Sequence, residues 1–305
     1  MRVLVAGATG VIGGRLVPLL HAVGHEVIGL AGSPRRAAPG IVVADALDRA
    51  ALARAVADAA PDAVVNLLTA VPASPCPRRL ARDFTFTNRL CTEGTRNLYD
   101  AARAAGASRI IAQGLAYAYA PGEGLADEDA PLWTDRTPRQ FAPVLAALLE
   151  LERMTADADG LVLRFGHLYG PGSAYAPDGL FTAQVRARKA PLAGEGSSVL
   201  SFTHADDAAT AIVAALDKEE RGPLNIVDDT PVTMAEFLPA FARALGAPPP
   251  RRVPAALARL AVGGWGMAFM NGLRGAGNAR ARNALDWRPR HASWHDGLAV
   301  AGRAT

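Results

Sequence analysis

Short apolar runs alternate with amphipathic stretches through the first half of this chain. Val3–Ala6, Val27–Ala31, Ile41–Ala44, Ala63–Leu68, Arg109–Ala112 and Leu161–Phe165 are dominated by apolar residues over strand-like lengths. They read as strands buried on both faces. Between them, apolar positions recur every three or four residues around Val11–Val23, Arg49–Ala59, Thr92–Ala105 and Pro138–Asp157, which predicts helices. Strands separated by helices of this length form βαβ units, and such units build a parallel sheet covered on both sides. The expected fold class is therefore α/β, a Rossmann-type doubly wound parallel sheet.

Beyond about residue 170 the pattern loosens, with punctuation at Gly170-Pro171-Gly172, Pro248-Pro249-Pro250 and Gly263-Gly264. Short strands are expected near Val199–Thr203 and Leu224–Val227, helices near Ala205–Leu216 and Thr233–Leu245, and a helical hairpin within Pro254–Leu285. A tidy second sheet unit does not fit this half.

The strongest local signal follows the first strand directly: Gly7-Ala8-Thr9-Gly10-Val11-Ile12-Gly13, opening the first helix. Gly7 permits a tight turn, Gly10 lets the main chain approach a pyrophosphate, and Gly13 allows close packing of helix on strand. The helix N-terminus then offers unpaired N–H groups to the anion. Residues 1–170 are thus expected to bind a dinucleotide. Residues 171–305 are expected to form a smaller substrate-binding region, interleaved with the last sheet strands, with the hairpin as a lid over the carboxyl ends of the strands.

The second strand ends at Ala31 without the carboxylate that holds a ribose 2′-hydroxyl, and runs into Gly32-Ser33-Pro34-Arg35-Arg36. One hydroxyl and two guanidiniums suit a 2′-phosphate, so Ser33, Arg35 and Arg36 point to NADPH, with NADH as the weaker ligand. Asp45 and Ala46 follow the third strand, where Asp45 either meets the adenine amino group or caps the helix over Leu47–Asp58. Thr9, Val11 and Ile12 of the glycine loop, Leu68 and Thr69 after the fourth strand, Gln113 in the fifth, and Phe165, Gly166 and His167 at the sixth complete the expected cofactor contacts.

Composition narrows the class. Half the residues are apolar and net charge is only +3; of 32 basic residues, only Lys189 and Lys218 are lysine. The arginines are dispersed among 29 acidic residues without a basic block, which argues against a nucleic-acid partner. No uncharged stretch is long enough to span a bilayer and the first apolar run is too short for a signal peptide, so a soluble cytoplasmic protein is expected. Cys76 and Cys91 lack metal-ligand spacing and read as reduced thiols, and the six histidines are too scattered for a metal site.

With these motifs in order, the chain resembles the extended short-chain dehydrogenase/reductase family, also called the NAD-dependent epimerase/dehydratase family, over nearly its whole length. Gly94-Thr95-Arg96-Asn97-Leu98 is similar to the family's central helix. Leu163-Arg164-Phe165-Gly166-His167-Leu168-Tyr169-Gly170-Pro171-Gly172 resembles its R-x-G-x-x-Y-G-P-G segment beside the nicotinamide. Phe202-Thr203-His204-Ala205-Asp206-Asp207 resembles F-x-H-x-D-D, and Leu285-Asp286-Trp287-Arg288-Pro289 the late L-G-W-x-P turn, with Asp286 in place of glycine.

The resemblance implies a catalytic serine at the end of the fifth strand and a Tyr-x-x-x-Lys on the next helix, where the lysine lowers the tyrosine pKa for proton exchange with substrate. Here the serine position falls on Leu115 or Gly114. The Tyr and Lys positions fall on Ala142 and Ala146, or on Val144 and Leu148, depending on whether Glu150 or Glu152 marks the register. No tyrosine lies between Tyr119 and Tyr169, and no lysine precedes Lys189.

A ketone already polarised by an adjacent phenol tolerates loss of the general acid, because the internal hydrogen bond supplies the proton. The expected activity is accordingly NADPH-dependent reduction of a polycyclic aromatic ketone of the polyketide type, such as an angucyclinone, similar to antibiotic-tailoring ketoreductases of actinobacteria. The alternatives are a redox-sensing NADP(H)-binding regulator, a nucleotide-sugar epimerase or dehydratase, and an isomerase or cyclase. His167, Tyr117 and Tyr119 are the candidate catalytic side chains. Tyr119 and Tyr169 also match packing positions, and His204, Asp206 and Asp207 are expected to fix a loop and cap the Ala208–Leu216 helix. Apolar walls are expected from Phe141, Val144, Leu145, Leu148 and Leu149, and from Trp265, Met267, Phe269 and Met270.

Overall fold

A computed structural model of the protein describes residues 1–36, 38–72 and 75–301; the last four residues of the 171–305 region lie outside it. In chain order the first half comprises β1 (Arg2–Ala6), α1 (Gly13–Ala22), β2 (Glu26–Ala31), β3 (Ile41–Val43), α2 (Arg49–Ala59), β4 (Ala63–Asn66), α3 (Leu80–Asp83), α4 (Thr85–Arg89), α5 (Thr95–Ala104), β5 (Arg109–Leu115), α6 (Ala142–Asp157) and β6 (Leu161–Phe165). The second half adds β7 (His167–Tyr169), α7 (Leu180–Arg186), β8 (Leu192–Ala193), β9 (Val199–Leu200), β10 (Phe202–His204), α8 (Ala205–Leu216), β11 (Gly222–Ile226), β12 (Val232–Thr233), α9 (Met234–Ala244), β13 (Arg252–Val253), α10 (Ala255–Asn271), α11 (Ala279–Ala284) and α12 (Trp294–Ala301).

Seven strands form one parallel sheet in the order β11-β6-β5-β4-β1-β2-β3. The order reverses between β1 and β4, which opens a crevice at their carboxyl ends. Val3, Leu4 and Val5 are fully buried, as expected for a strand covered on both faces, and each such side chain contributes about 1.5–3 kcal/mol of burial. On one face, Leu16 and Leu20 of α1 share a core with Ala208, Ile212 and Leu216 of α8. On the other, Leu52 and Val56 of α2 pack with Leu98 and Ala102 of α5.

Local chemistry sets several element ends. Asp48 caps α2, its Oδ1 accepting the Ala51 N–H at 3.0 Å, while Asp45 Oδ1 accepts from the Leu47 N–H at 3.0 Å. The helix cap, the alternative role offered for Asp45, thus belongs to Asp48, because only a residue just before the first helical turn can reach its free N–H groups. Helix α6 begins at Ala142, later than the expected Pro138, with Pro143 in its first turn, where a missing N–H costs nothing. His204, not Asp206 or Asp207, caps α8: its Nδ1 accepts the Asp206 N–H at 3.2 Å. Asp206 pairs with Arg15, and Asp207 ties down the late loop by accepting the Arg290 and His291 N–H groups at 2.8 and 3.0 Å.

Within Pro254–Leu285, where a helical hairpin is expected, two helical segments meet at Gly263 and a short further helix follows. Helix α10 bends at Gly263, which adopts φ 70° and ψ −173°; after residues 272–278, the short α11 turns away, with Ala281 joining the core beside Leu224 and Ile226 of β11. No helix among the described residues is long and apolar enough to cross a membrane.

Candidate active site

The glycine loop is shaped by close contacts. Gly7 has φ +90°, and a Cβ there would lie 2.5 Å from the Leu67 carbonyl oxygen; a Cβ at Gly13 would lie 2.4 Å from the Gly7 oxygen. Gly7 donates to the Leu30 oxygen at 2.9 Å and Gly10 to the Gly7 oxygen at 3.0 Å, which folds the loop back over the end of β1. Helix α1 has no side-chain cap. Its first-turn N–H groups, around Val11 and Ile12, are therefore available to an anion, and the cradle fits a pyrophosphate.

At the end of β2, Arg36 Nη1 donates to Thr9 Oγ1 at 2.9 Å, so a guanidinium leans onto the glycine loop. The Arg35 N–H faces Ser33 Oγ at 3.4 Å, and both arginines are exposed. Ser33, Arg35, Arg36 and Thr9 thus gather at one edge of the crevice. At the next stretch, Ala46 and Leu68 approach each other around Gly94, where a Cβ would meet the Ala46 Cβ at 3.4 Å and Leu68 Cδ1 at 3.7 Å. The Asn97 side chain holds the Ala46 carbonyl at 2.9 Å, and Asn66 Oδ1 holds the Leu68 N–H at 3.1 Å. Asn66, which the sequence did not single out, and Asn97 of the Gly94–Leu98 segment therefore support this wall; both are buried polar residues. Thr69 is exposed beyond Leu68.

Farther along the carboxyl edge, β5 ends with Gln113, Gly114 and Leu115, and β6 with Phe165 and Gly166. Gly166 donates to Thr203 Oγ1 at 2.8 Å, and a Cβ on it would lie 2.3 Å from the Ser201 oxygen, so β7 starts pressed against the β9–β10 turn. This presents His167, which is 6% exposed, with its Nε2 buried and lacking a hydrogen-bond partner. Tyr117 stacks on it at 4.5 Å between ring centroids and 10° between planes. Phe269 of α10 meets it edge-on at 5.4 Å, and Phe202 of β10 is tilted at 5.7 Å. Burial alone lowers the His167 pKa to about 4 and pushes that of Tyr117 up to about 12, so both rings are neutral at physiological pH.

The two pairs of α6 residues left open by the sequence differ in burial. Val144 and Leu148 are buried in the cluster that includes Leu115 and Tyr117, whereas Ala146 is exposed and Ala142 partly so. Glu152 of the same helix also reaches this region: its Oε1 would lie 3.3 Å from a Cβ on Gly114 at the end of β5. Tyr119 is spent elsewhere: its hydroxyl donates to Asn225 Oδ1 at 2.7 Å and accepts from Arg164 Nη1 at 2.8 Å. Arg164 also binds Glu152 Oε2 at 2.6 Å. Tyr169 is buried, with its hydroxyl facing the Ser293 oxygen at 3.3 Å. Of the three candidate catalytic side chains, the structure brings together His167 and Tyr117 and sets Tyr119 apart.

A sheet of this order with a glycine cradle after β1 is the architecture of a dinucleotide-binding protein. The chain belongs to the NAD dependent epimerase/dehydratase family, whose model matches residues 3–227. It is 51% identical, over 98% of its length and 99% of the relative's, to a Streptomyces 3-diazoavenalumate denitrifying reductase. It is also 27% identical to a UDP-glucose 4-epimerase of Mycolicibacterium smegmatis, covering 95% of this chain and 94% of that protein. Among solved structures, the UDP-glucose 4-epimerase of Thermus thermophilus in complex with NAD superposes with a TM-score of 0.76 at 22% identity, covering 99% and 98% of the two chains. A human epimerase family protein with NADPH superposes equally well, with a TM-score of 0.76 at 23% identity and full coverage of both chains.

Proposed function

We propose that this chain removes a diazo group reductively from an aromatic ring, with NADPH as the preferred reductant. One observation supports the reading: Leu115, Val144 and Leu148 pack in one apolar cluster, and they are among the positions where the family resemblance places a hydroxyl, a phenol and an amine that would move a proton. When bound, the nicotinamide supplies a hydride. A simple ketone that takes a hydride becomes an alkoxide and needs a proton, and losing the general acid costs about 10²–10⁴-fold in rate. An aryl diazonium needs none: overall the C–N bond breaks, dinitrogen leaves, a C–H bond forms and a neutral arene remains. The 51% identical Streptomyces relative, named for a diazo substrate and for denitrification, supports this assignment.

The chain's own residues then bind, orient and exclude water. The glycine loop takes the pyrophosphate, and Ser33, Arg35 and Arg36 take a 2′-phosphate. Leu115, Val144, Leu148 and Phe269 keep the reacting carbon dry, and Tyr117 and His167 lie against the substrate ring. A second reading shares the same site: an angucyclinone-like hydroxy ketone, polarised by its own phenol, also dispenses with a protein acid, and the apolar walls favour a polycyclic aromatic.

Incubation with NADPH deuterated at the transferable position, together with aryl diazonium salts, hydroxyquinone ketones and nucleotide sugars, tests both readings by mass spectrometry. Deuterium on the arene carbon with release of dinitrogen is the expected result. Deuterium in a carbinol moves the assignment to the ketone. Turnover of nucleotide sugars alone, or of none of the three, overturns it.

A further inference from the structure

The four rings at the end of β6 come from four separate places: Tyr117 from the loop after β5, His167 from β7, Phe202 from β10 and Phe269 from α10. Their arrangement goes beyond filling space. Tyr117 and His167 lie almost parallel at 4.5 Å, and no carboxylate or basic side chain among the described residues hydrogen-bonds to either ring. His167 is 94% buried and its Nε2 lacks a partner, which a folded protein tolerates poorly. A core position would be served better by phenylalanine. An orphaned ring nitrogen in an aromatic cluster just past the end of β6 calls for a partner that the folded chain does not supply.

Resting on the denitrifying reading above, we propose that the Tyr117–His167 stack is a specificity wall. It selects a flat, positively charged arene by its electron-rich ring faces, with His167 Nε2 making one directional hydrogen bond to a ring substituent. Aromatic faces attract cations, most strongly where water is excluded. An imidazolium would repel the same ligand, and burial keeps His167 uncharged down to about pH 4. Tyr117 and His167 act here as recognition residues, without exchanging a proton.

The test is calorimetric binding of unreactive probes to the NADPH-loaded protein. The pair is 3-hydroxyphenyltrimethylammonium and its neutral isostere 3-tert-butylphenol, with phenyltrimethylammonium as the probe lacking the hydroxyl. The cation is expected to bind about tenfold more tightly than the isostere. Tyr117→Leu and His167→Lys should each erase that preference. His167→Phe should keep the preference but lose the roughly tenfold advantage that the probe hydroxyl confers on the parent protein. NADPH affinity and melting temperature, measured on each variant, identify any that are misfolded; the parent protein's choice between the two isosteres decides regardless of them. Equal affinity for the isosteres, or preference for the neutral one, overturns the wall. Release of dinitrogen without cation preference removes the wall and keeps the denitrifying reading, whereas cation preference without dinitrogen does the reverse.

Discussion

The two ends of the crevice are built in opposite ways. At the proposed phosphate end, near neighbours in sequence are brought together: Gly7, Gly10 and Gly13 lie from the end of β1 to the start of α1, and Ser33, Arg35 and Arg36 lie just after β2. At the proposed reaction end, Tyr117, His167, Phe202 and Phe269 converge from positions spread over about half the chain. The first end rests on backbone geometry and formal charge, and the second on ring packing with no charged group in it. An anion-binding loop is a local device because neighbouring N–H groups must point the same way. A substrate wall samples several elements because only their juxtaposition encloses a ligand.

The largest effect is expected where the local device is broken. Gly7→Ala puts a side chain at φ +90° and a Cβ within 2.5 Å of the Leu67 oxygen. NADPH affinity should fall more than 100-fold by calorimetry, with a stability loss of about 1–3 kcal/mol. If Gly7→Ala binds normally, the cradle is not the phosphate site.

Next come the charges. Arg36→Ala should weaken NADPH by about 10–100-fold, the range of a charge-assisted phosphate contact, and leave NADH within about twofold; Arg35→Ala should act in the same sense but less, since only Arg36 leans onto Thr9. Equal losses for both cofactors would show that the guanidiniums do not read the 2′-position.

The half of the chain after residue 170 should show its own titration. Burial raises the Asp228 carboxyl to about 8, against which the Phe202, Trp294 and Thr230 N–H groups pull downward and Asp229 adds to the rise. The folded chain then holds a proton that the unfolded chain releases above about pH 4. Stability contributed by this group is present below that pH and is lost as pH rises through 8. Asp228→Asn, whose amide mimics the protonated acid, should raise the melting temperature more at pH 8 than at pH 5. An equal shift at both values would mean that Asp228 is ionised throughout. His167 slopes the other way, because its folded pKa of about 4 makes the unfolded chain the better proton binder as pH falls from about 6.5.

The smallest effect on turnover is expected from Tyr119→Phe. Its hydroxyl serves Arg164 and Asn225, so the change should cost about 1–3 kcal/mol in denaturant melts while kcat stays within about twofold. A large fall in kcat at unchanged stability would return Tyr119 to the list of reacting groups.

Where a feature depended on neighbours in the chain, the sequence was readable. Arg49–Ala59 and Ala205–Leu216 are helices with the expected ends, and Leu161–Phe165 is the expected strand. Finer assignments depended on partners. The α2 cap, the alternative role for Asp45, belongs to Asp48, and of His204, Asp206 and Asp207, expected together to cap a helix and fix a loop, His204 caps α8 while Asp207 holds the late loop. Helix α11 buries Ala281 beside Leu224 and Ile226 of β11, a strand more than fifty residues earlier. Nothing in the periodicity of residues 279–284 names that partner.

The sequence by itself determined the parallel sheet, the glycine cradle, the basic loop after β2 and the absence of any lysine before Lys189. Each follows from residue type at a fixed local spacing, through backbone freedom, charge or periodicity. Only the tertiary structure decided which face of α6 looks inward, that Tyr119 is bound to Arg164 and Asn225, and that His167 lies under Tyr117 with an orphaned Nε2. Those facts depend on how distant elements pack, and burial and hydrogen-bond satisfaction are properties of the assembled neighbourhood that no single stretch of chain contains.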